Sequence, residues 1–239
     1  MLIRSKDRKV ANQVNAGGNQ ASMANTFGLP SGKAFSCPGA TSVCETICYA
    51  GKLEKVFKGV KTVLLSNWEQ LQACSNALEM VYLLSEMIES FEKECEKRGA
   101  EKLFRIHWDG DFFSEEYTLA WKKVIRMFPK VQFWAYTRSD FAVPILIGMD
   151  NLSLYFSADE ANKDLAISLK QEYGVKLAYL AKDFATGKAD FEKLQSKSAI
   201  PCPENNKKIK MISQSGSACV LCSQCVFNRN DILFSASKK

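Results

Sequence analysis

Nine cysteines are spread through the 239 residues, and seven of them fall into two groups whose spacing suits metal chemistry. The first group is Cys37-x6-Cys44-x3-Cys48, in FSCPGATSVCETICYAGK. Pro38 and Gly39 turn the chain straight after the first sulfur, so a short loop can wrap back on an ion or cluster. Three thiolates are one fewer than a closed zinc site or a four-cysteine cluster uses. Such a set leaves an open position, where an iron can bind substrate or cofactor directly, or takes a fourth ligand from elsewhere. The second group is Cys202…Cys219-x2-Cys222-x2-Cys225, in IPCPENN and GSACVLCSQCVF. Its CxxCxxC run resembles the wrap around a 4Fe–4S cube, with a distant Cys-Pro completing the set. Zinc accepts four cysteines equally well, so both metals stay open at this group. Either one would staple the segment that carries it, because metal binding supplies folding free energy. Cys74 and Cys95 instead fall on the apolar face of a helical pattern and read as small core residues.

Polar residues cluster where strands are expected to end. His107, the only histidine, opens HWDGDFFS. Asp109, Gly110 and Asp111 follow it, and ligands bind at that end of parallel strands. Gly110 permits close backbone approach, and the flanking carboxylates can accept hydrogen bonds from an amine or ribose. An equally good reading is a satisfied turn with an Asp capping the next helix. Similar tips follow the other strands: Thr137, Arg138 and Ser139; Ser157, Asp159 and Glu160; Lys182 and Asp183. Together they imply a shared polar mouth into which the Cys37–Cys48 loop projects. Asp109, Gly110, Asp111, Arg138 and Ser157 are the candidate cofactor-binding residues. Arg138 suits a carboxylate or phosphate through its planar fork of donors.

The elements that would position these groups read as alternating βα units. Leu103–Trp108, Val131–Tyr136, Leu152–Ala158 and Val175–Ala181 are short β-rich runs separated by helix-length connections. The spacing predicts helical structure from Lys52 to Cys95, stopped by Gly99, and again over Glu115–Phe128, with Ser114 as its N-cap. A further short strand is expected within Ser22–Leu29. Residues 183–218 look loop-like. The expected fold is α/β, either a partial (β/α) barrel or an open parallel sheet, with a cysteine-rich, irregular C-terminal segment. One domain covers 1–239, with a βα core at 1–182 and an extension at 183–239.

Composition narrows the function classes. The 46% hydrophobic and 24% charged content is that of a globular chain with a sizeable core. No segment reaches the roughly 20 apolar residues of a membrane span, and MLIRSKDRKV lacks the apolar run of a secretory signal. A cytoplasmic location is expected, where disulfides are disfavoured and spaced cysteines act as ligands or catalysts. The net charge of +6 is slight for a dedicated nucleic-acid binder. Its basic residues gather at Arg4, Lys6, Arg8 and Lys9, at Lys207, Lys208 and Lys210, and at Lys238 and Lys239.

The segments TFGLPSGKAFSCPGATSVCETICYAGK, RIHWDGDFFS and AYTRS, in that order, resemble the phage- and plasmid-encoded family called gene product eighty-eight. They cover roughly the first 140 positions, and the CxxCxxC tail extends the likeness. That resemblance implies a phage origin, and hence the host cytoplasm, rather than an activity. A looser likeness is to radical S-adenosylmethionine enzymes, which pair a three-cysteine loop with a partial barrel and often carry an auxiliary cluster near the C-terminus. It implies that Cys37, Cys44 and Cys48 match the cluster loop, and that Asp109–Asp111 stand where a glycine motif binds the methionine amine. The spacing differs from the CxxxCxxC of those enzymes, and no Gly-Gly-Glu-Pro sequence occurs.

The leading expectation is an iron–sulfur protein with an open-iron cluster at Cys37/Cys44/Cys48 and a second cluster at Cys202/Cys219/Cys222/Cys225. If it is an enzyme, it is a redox enzyme that uses S-adenosylmethionine or another substrate in the mouth and takes electrons from a reductant protein. The alternatives are a non-catalytic electron carrier or cluster-stabilised interaction protein, and a zinc-stapled nucleic-acid binder using the basic clusters on phosphates.

Overall fold

Apolar residues three and four apart build the longest helix. A computed structural model of the chain describes residues 1–7, 9, 23–193, 199–213 and 216–237. Arg8, Lys238 and Lys239, and the Asn/Gln/Gly-rich stretch up to Ser22, lie outside the described residues. Strand β1 (Thr26–Gly28) leads through the cysteine loop into helices α1 (Ser42–Ile47), α2 (Tyr49–Val56), α3 (Lys58–Gln72) and α4 (Ala77–Arg98). The helical stretch expected from Lys52 to Cys95 is therefore broken twice. Phe57 adopts extended geometry between α2 and α3. Asn76 ends the second gap, because its side chain accepts the Leu78 and Glu79 amides and so starts a new helix. Gly99, at φ 61°, closes α4 in the left-handed conformation that glycine favours.

The βα units follow: β2 (Leu103–Asp109), α5 (Glu115–Met127), β3 (Gln132–Thr137), α6 (Ala142–Leu146), β4 (Leu152–Ala158), α7 (Lys163–Tyr173), β5 (Lys176–Ala181) and α8 (Phe184–Lys193). Helix α8 corrects the loop expected from residue 183, since Asp183 accepts the Thr186 amide at 2.8 Å and caps it. The last third holds β6 (Ile200–Pro201), the small hairpin β7 (Ile212–Ser213) and β8 (Gly216–Ser217), α9 (Ala218–Cys222), and β9 (Ile232–Ser235).

The main sheet is parallel and open, in the order β1-β2-β3-β4-β5-β9-β6. It is the open alternative of the two expected, not a closed barrel. From β2 to β5 each strand lies beside its predecessor, always stepping the same way, so right-handed crossovers put their helices on one face. Phe104, Ile106, Phe133, Ala135, Leu154, Phe156, Leu177 and Tyr179 pack that face against α4 to α8. Residues of alternating parity then point to the other face: Leu103, Arg105, Trp134, Tyr136, Ser153, Tyr155, Ala178 and Ile232. That face would be bare without the C-terminal segment. Val226 packs on Leu103 and Trp134, while Cys202 and Cys225 pack around Tyr155, Ala178 and Ile232.

Hydrogen bonds fix the segment there. Ser153 Oγ and Gln132 Nε2 donate to the Val226 carbonyl at 2.7 and 2.9 Å. The Tyr155 hydroxyl reaches the Gln224 and Asn230 carbonyls at 3.2 and 3.0 Å. A Ser153→Ala/Tyr155→Phe variant should lose about 1–2 kcal/mol of stability, because buried carbonyls lose their donors. Limited proteolysis should then cut residues 219–231 faster than in wild type. Unchanged cleavage would mean that apolar packing alone holds the segment.

Candidate functional site

Two places gather the sequence's chemistry: the C-terminal edge of the sheet and the face covered by the C-terminal segment. At the edge, Asp111 accepts from its own neighbour Phe112 N, from Thr137 Oγ1 and from Arg138 N, each at 2.7 Å. Burial still raises its carboxyl to about 6, and those three donors limit the rise. Arg138 turns its guanidinium to Asp159, with Nη1 2.8 Å from Oδ2. Thr41 Oγ1 donates to the same oxygen at 2.6 Å and accepts the Cys44 amide as the N-cap of α1. The cysteine loop thus rests directly on the tips of β3 and β4. It sits close: a Cβ on Gly39 would lie 2.1 Å from the Arg138 carbonyl oxygen, and one on Gly110 2.5 Å from Ser36 Oγ.

The expected mouth is therefore plugged by the loop that was to project into it. Asp111 and Arg138 are committed to the protein's own groups. Ser157 is half-buried on β4, and its carbonyl accepts from Asn162 Nδ2 at 3.1 Å. The three loop cysteines have different neighbours. Cys37 is held with its thiol proton chiefly by burial, with the Asp111 charge adding to it. Cys44 is raised by burial, is opposed by the Arg138 charge, and stands near Cys48, Asp159 and Asp111. Cys48 Sγ accepts the Gly51 amide at 3.3 Å as the N-cap of α2.

Between β1 and β2 the register slips, pairing Thr26 with Arg105 but Gly28 with Asp109. The extra length bulges at His107, whose φ of 58° is left-handed. Its ring turns to the helix side, among Phe27, Phe112, Tyr117 and Trp121, with Nε2 2.8 Å from the Tyr117 hydroxyl. Burial, helped by the Arg105 charge, lowers it to about 3, so it is a neutral core residue. The bulge also aims Asp109 at Glu54 of α2. Burial raises Asp109 to about 9, and the neighbouring Glu54 carboxylate, hydrogen-bonded to it, adds to the rise. Glu54 in turn accepts from Ser31 N at 3.0 Å and from Ser31 Oγ.

On the covered face, Cys202, Cys219, Cys222 and Cys225 approach one another. Burial raises Cys219, and Cys225 and Cys202 add to it. Cys225 is pushed up to about 12 by burial, with Cys202 and Cys222 contributing and the Tyr136 hydroxyl opposing as a hydrogen-bond donor. Arg105 lies beside them, its guanidinium 5.5 Å from the Tyr136 ring centre, paired with Asp7 and bonded to the Tyr49 hydroxyl at 3.3 Å. Lys9 bonds Glu204 at 2.7 Å and adds a second cation. Among the described residues, no group of three or more His, Cys, Asp or Glu side chains is drawn together tightly enough to hold a metal ion. The four thiols are neighbours rather than a closed ligand set.

Sequence reasoning named the cysteines and strand tips but missed Arg105, Tyr136, Tyr49 and Glu54. A charged residue inside LFRIHW was a usable signal, since a buried strand rarely carries one without a partner. Glu54 carried none. Of the basic residues assigned to phosphates, Arg4 pairs with Glu94 at 3.0 Å and Lys9 with Glu204, so both serve internal contacts. Cys95 is a core thiol donating to the Glu101 carbonyl, whereas Cys74 lies at the core's edge. No helix among the described residues is long and apolar enough to cross a membrane.

Comparison with known proteins matches residues 1–229 to a family described as Gene product 88. A Gene 88 protein of Mycobacterium phage L5 is 53% identical over 243 residues, covering 100% of this chain and 99% of that protein. A Gene 88 protein of Mycobacterium phage D29 is 52% identical over 244 residues, covering 100% and 99%. No solved structure matches. The likeness to radical S-adenosylmethionine enzymes finds no support in these comparisons.

The acid pair makes a pH prediction. Folded Asp109 keeps a proton, up to about pH 9, that the unfolded chain releases near pH 4. The native state therefore binds more protons across that window, and stability falls as pH rises through it. Asp109→Asn removes the effect and can donate to Glu54. Its gain in denaturant midpoint over wild type should be small near pH 5 and larger near pH 8. Parallel pH curves would mean that Asp109 is ionised in the folded protein.

Proposed function

The chain belongs to the Gene product 88 family, and on that footing we propose that it is a phage iron–sulfur protein whose cluster is held by Cys202, Cys219, Cys222 and Cys225. The observation that carries this reading is the meeting of thiols from two separate segments on one buried face, beside Arg105. Burial keeps Cys202, Cys219 and Cys225 protonated, and a metal that replaces those protons would turn them into thiolate ligands. Ligand sets commonly close only when the ion arrives, because binding and local folding are coupled. A cluster with four thiolates is anionic overall, and Arg105, paired with Asp7, lies beside these thiols.

The Tyr136 hydroxyl lies beside Cys225, and a hydrogen bond from it to a cluster sulfur would raise the cluster's potential. The CxxCxxC run favours iron–sulfur over zinc. This reading makes the protein an electron-transfer or redox component in the host cytoplasm, with a reductant protein as its partner. This reading makes no use of the Cys37/Cys44/Cys48 loop as an open-iron site.

Anaerobic purification of the full chain should give a brown protein with a broad visible band and about four irons and four sulfides per chain. Cys219→Ser and Cys222→Ser should lose most of the iron, while Cys74→Ser retains it. A colourless preparation holding only zinc at these cysteines would overturn the assignment.

A further inference from the structure

The cysteine loop leaves Cys44 and Cys48 as a pair with no role in the four-cysteine site. They lie four residues apart, Cys44 within α1 and Cys48 at its C-cap, a spacing that brings side chains to one side of a helix. Cys48 lies close enough for its charge to act on Cys44. Cys48 both closes α1 and opens α2, at φ −54° and ψ 111°, so its backbone is not locked into helical geometry. Both thiols are partly accessible, and α1 has no fully buried residue. The Gly51 amide donates to Cys48 Sγ at 3.3 Å, and the Arg138 guanidinium lies within electrostatic reach of Cys44. Those are the two aids a thiol pair needs: an amide donor for one thiolate and a cation for the other. Cys37 is raised by burial and by the Asp111 charge.

We propose that Cys44 and Cys48 form a redox-active dithiol that reduces a disulfide-bearing substrate and closes to a Cys44–Cys48 disulfide. In the first step the Cys48 thiolate attacks one sulfur of R–S–S–R. The Cys48–S–SR bond forms, the S–S bond of the substrate breaks, and RS⁻ leaves with the proton that Cys48 released. In the second step Cys44 loses its proton and attacks Cys48 Sγ, expelling the second RS⁻, which takes that proton. Two electrons pass from the protein to the substrate, and two RSH are formed. Arg138 is a positioning residue here, steadying Cys44 as it ionises.

Oxidised glutathione serves as the probe on the full-length protein under anaerobic conditions, with peptide mass mapping as readout. Wild type should lose two thiols and yield the peptide linked through Cys44–Cys48. Cys44→Ser should stop at a glutathione adduct on Cys48, and Cys48→Ser should react at least about tenfold more slowly at Cys44. Arg138→Gln should slow closure of the mixed disulfide without slowing its formation. The proposal fails if wild type keeps Cys44 and Cys48 as free thiols throughout a series of glutathione buffers. It also fails if adducts fall equally on Cys37 and Cys74, or if Cys44→Ser loses bound iron as fully as Cys219→Ser does. The wild-type mapping decides the matter even where a variant folds poorly, and loss of the cluster at the four-cysteine group would leave it unaffected.

Discussion

One buried carboxylate, Asp111, holds the C-terminal edge of the sheet together. It follows β2 and accepts from the side chain of Thr137 and the backbone of Arg138, so it ties the tip of β3 to the turn after β2. Burying a carboxylate is unfavourable without donors on most of its lone pairs, and three donors arrive from adjoining backbone and a threonine. With Arg138 fixed at its amide, its guanidinium reaches Asp159 beyond β4. Asp159 then takes Thr41, and Thr41 starts α1. The cysteine loop is therefore positioned by a relay running across three strands. Its anchor at Gly39 has no space for a side chain.

A second constraint comes from winding. Because the connections from β2 to β5 all step the same way, every one of their helices covers the same face. The opposite face must be covered by something other than crossover helices, and the chain uses its last forty or so residues. That segment is rich in short turns, with Ser223 and Asn228 at positive φ, and it has little regular structure to stabilise it. Polar side chains on the inner face of β3 and β4 supply part of the attachment. A metal bridging Cys202 to the Cys219–Cys225 run would close a long loop, which is where a cross-link gains most.

The parallel core was legible because its signals are local. Ser114, Gly99 and Gly174 mark helix ends by backbone chemistry, and each does what its residue type suggests. The strands from 103 onwards carry β-rich apolar runs that no other element would suit. What could not be read is where chemistry depends on partners distant in sequence. Arg138 reads as an anion fork until Asp159 is seen beside it, and Asp111 reads as a ligand until Thr137 and Arg138 occupy it. His107 is the sharpest instance, since a bulge turns its ring away from the strand tip and into an aromatic cluster. Nothing in HWDGD announces that bulge, whose cause is the slipped pairing with β1 seventy-nine residues away.

The two cysteine groups are equal in spacing logic but differ in surroundings, and the proposed chemistry follows that difference. The C-terminal four lie on the segment that covers the sheet, beside Arg105 and the Tyr136 phenol. Such a place suits a group that stays bound and exchanges only electrons. Cys44 lies on, and Cys48 at the end of, a surface helix with no fully buried residue, and both are partly accessible, as the C-terminal four are. A permanent ion there would need further ligands, and the nearest acids, Asp159 and Asp111, already serve Arg138, Thr41 and Thr137. Removing those acids to ligate a metal would undo the relay that positions the loop. The edge network thus fits the proposed role of Cys44 and Cys48 as thiols that react and reset.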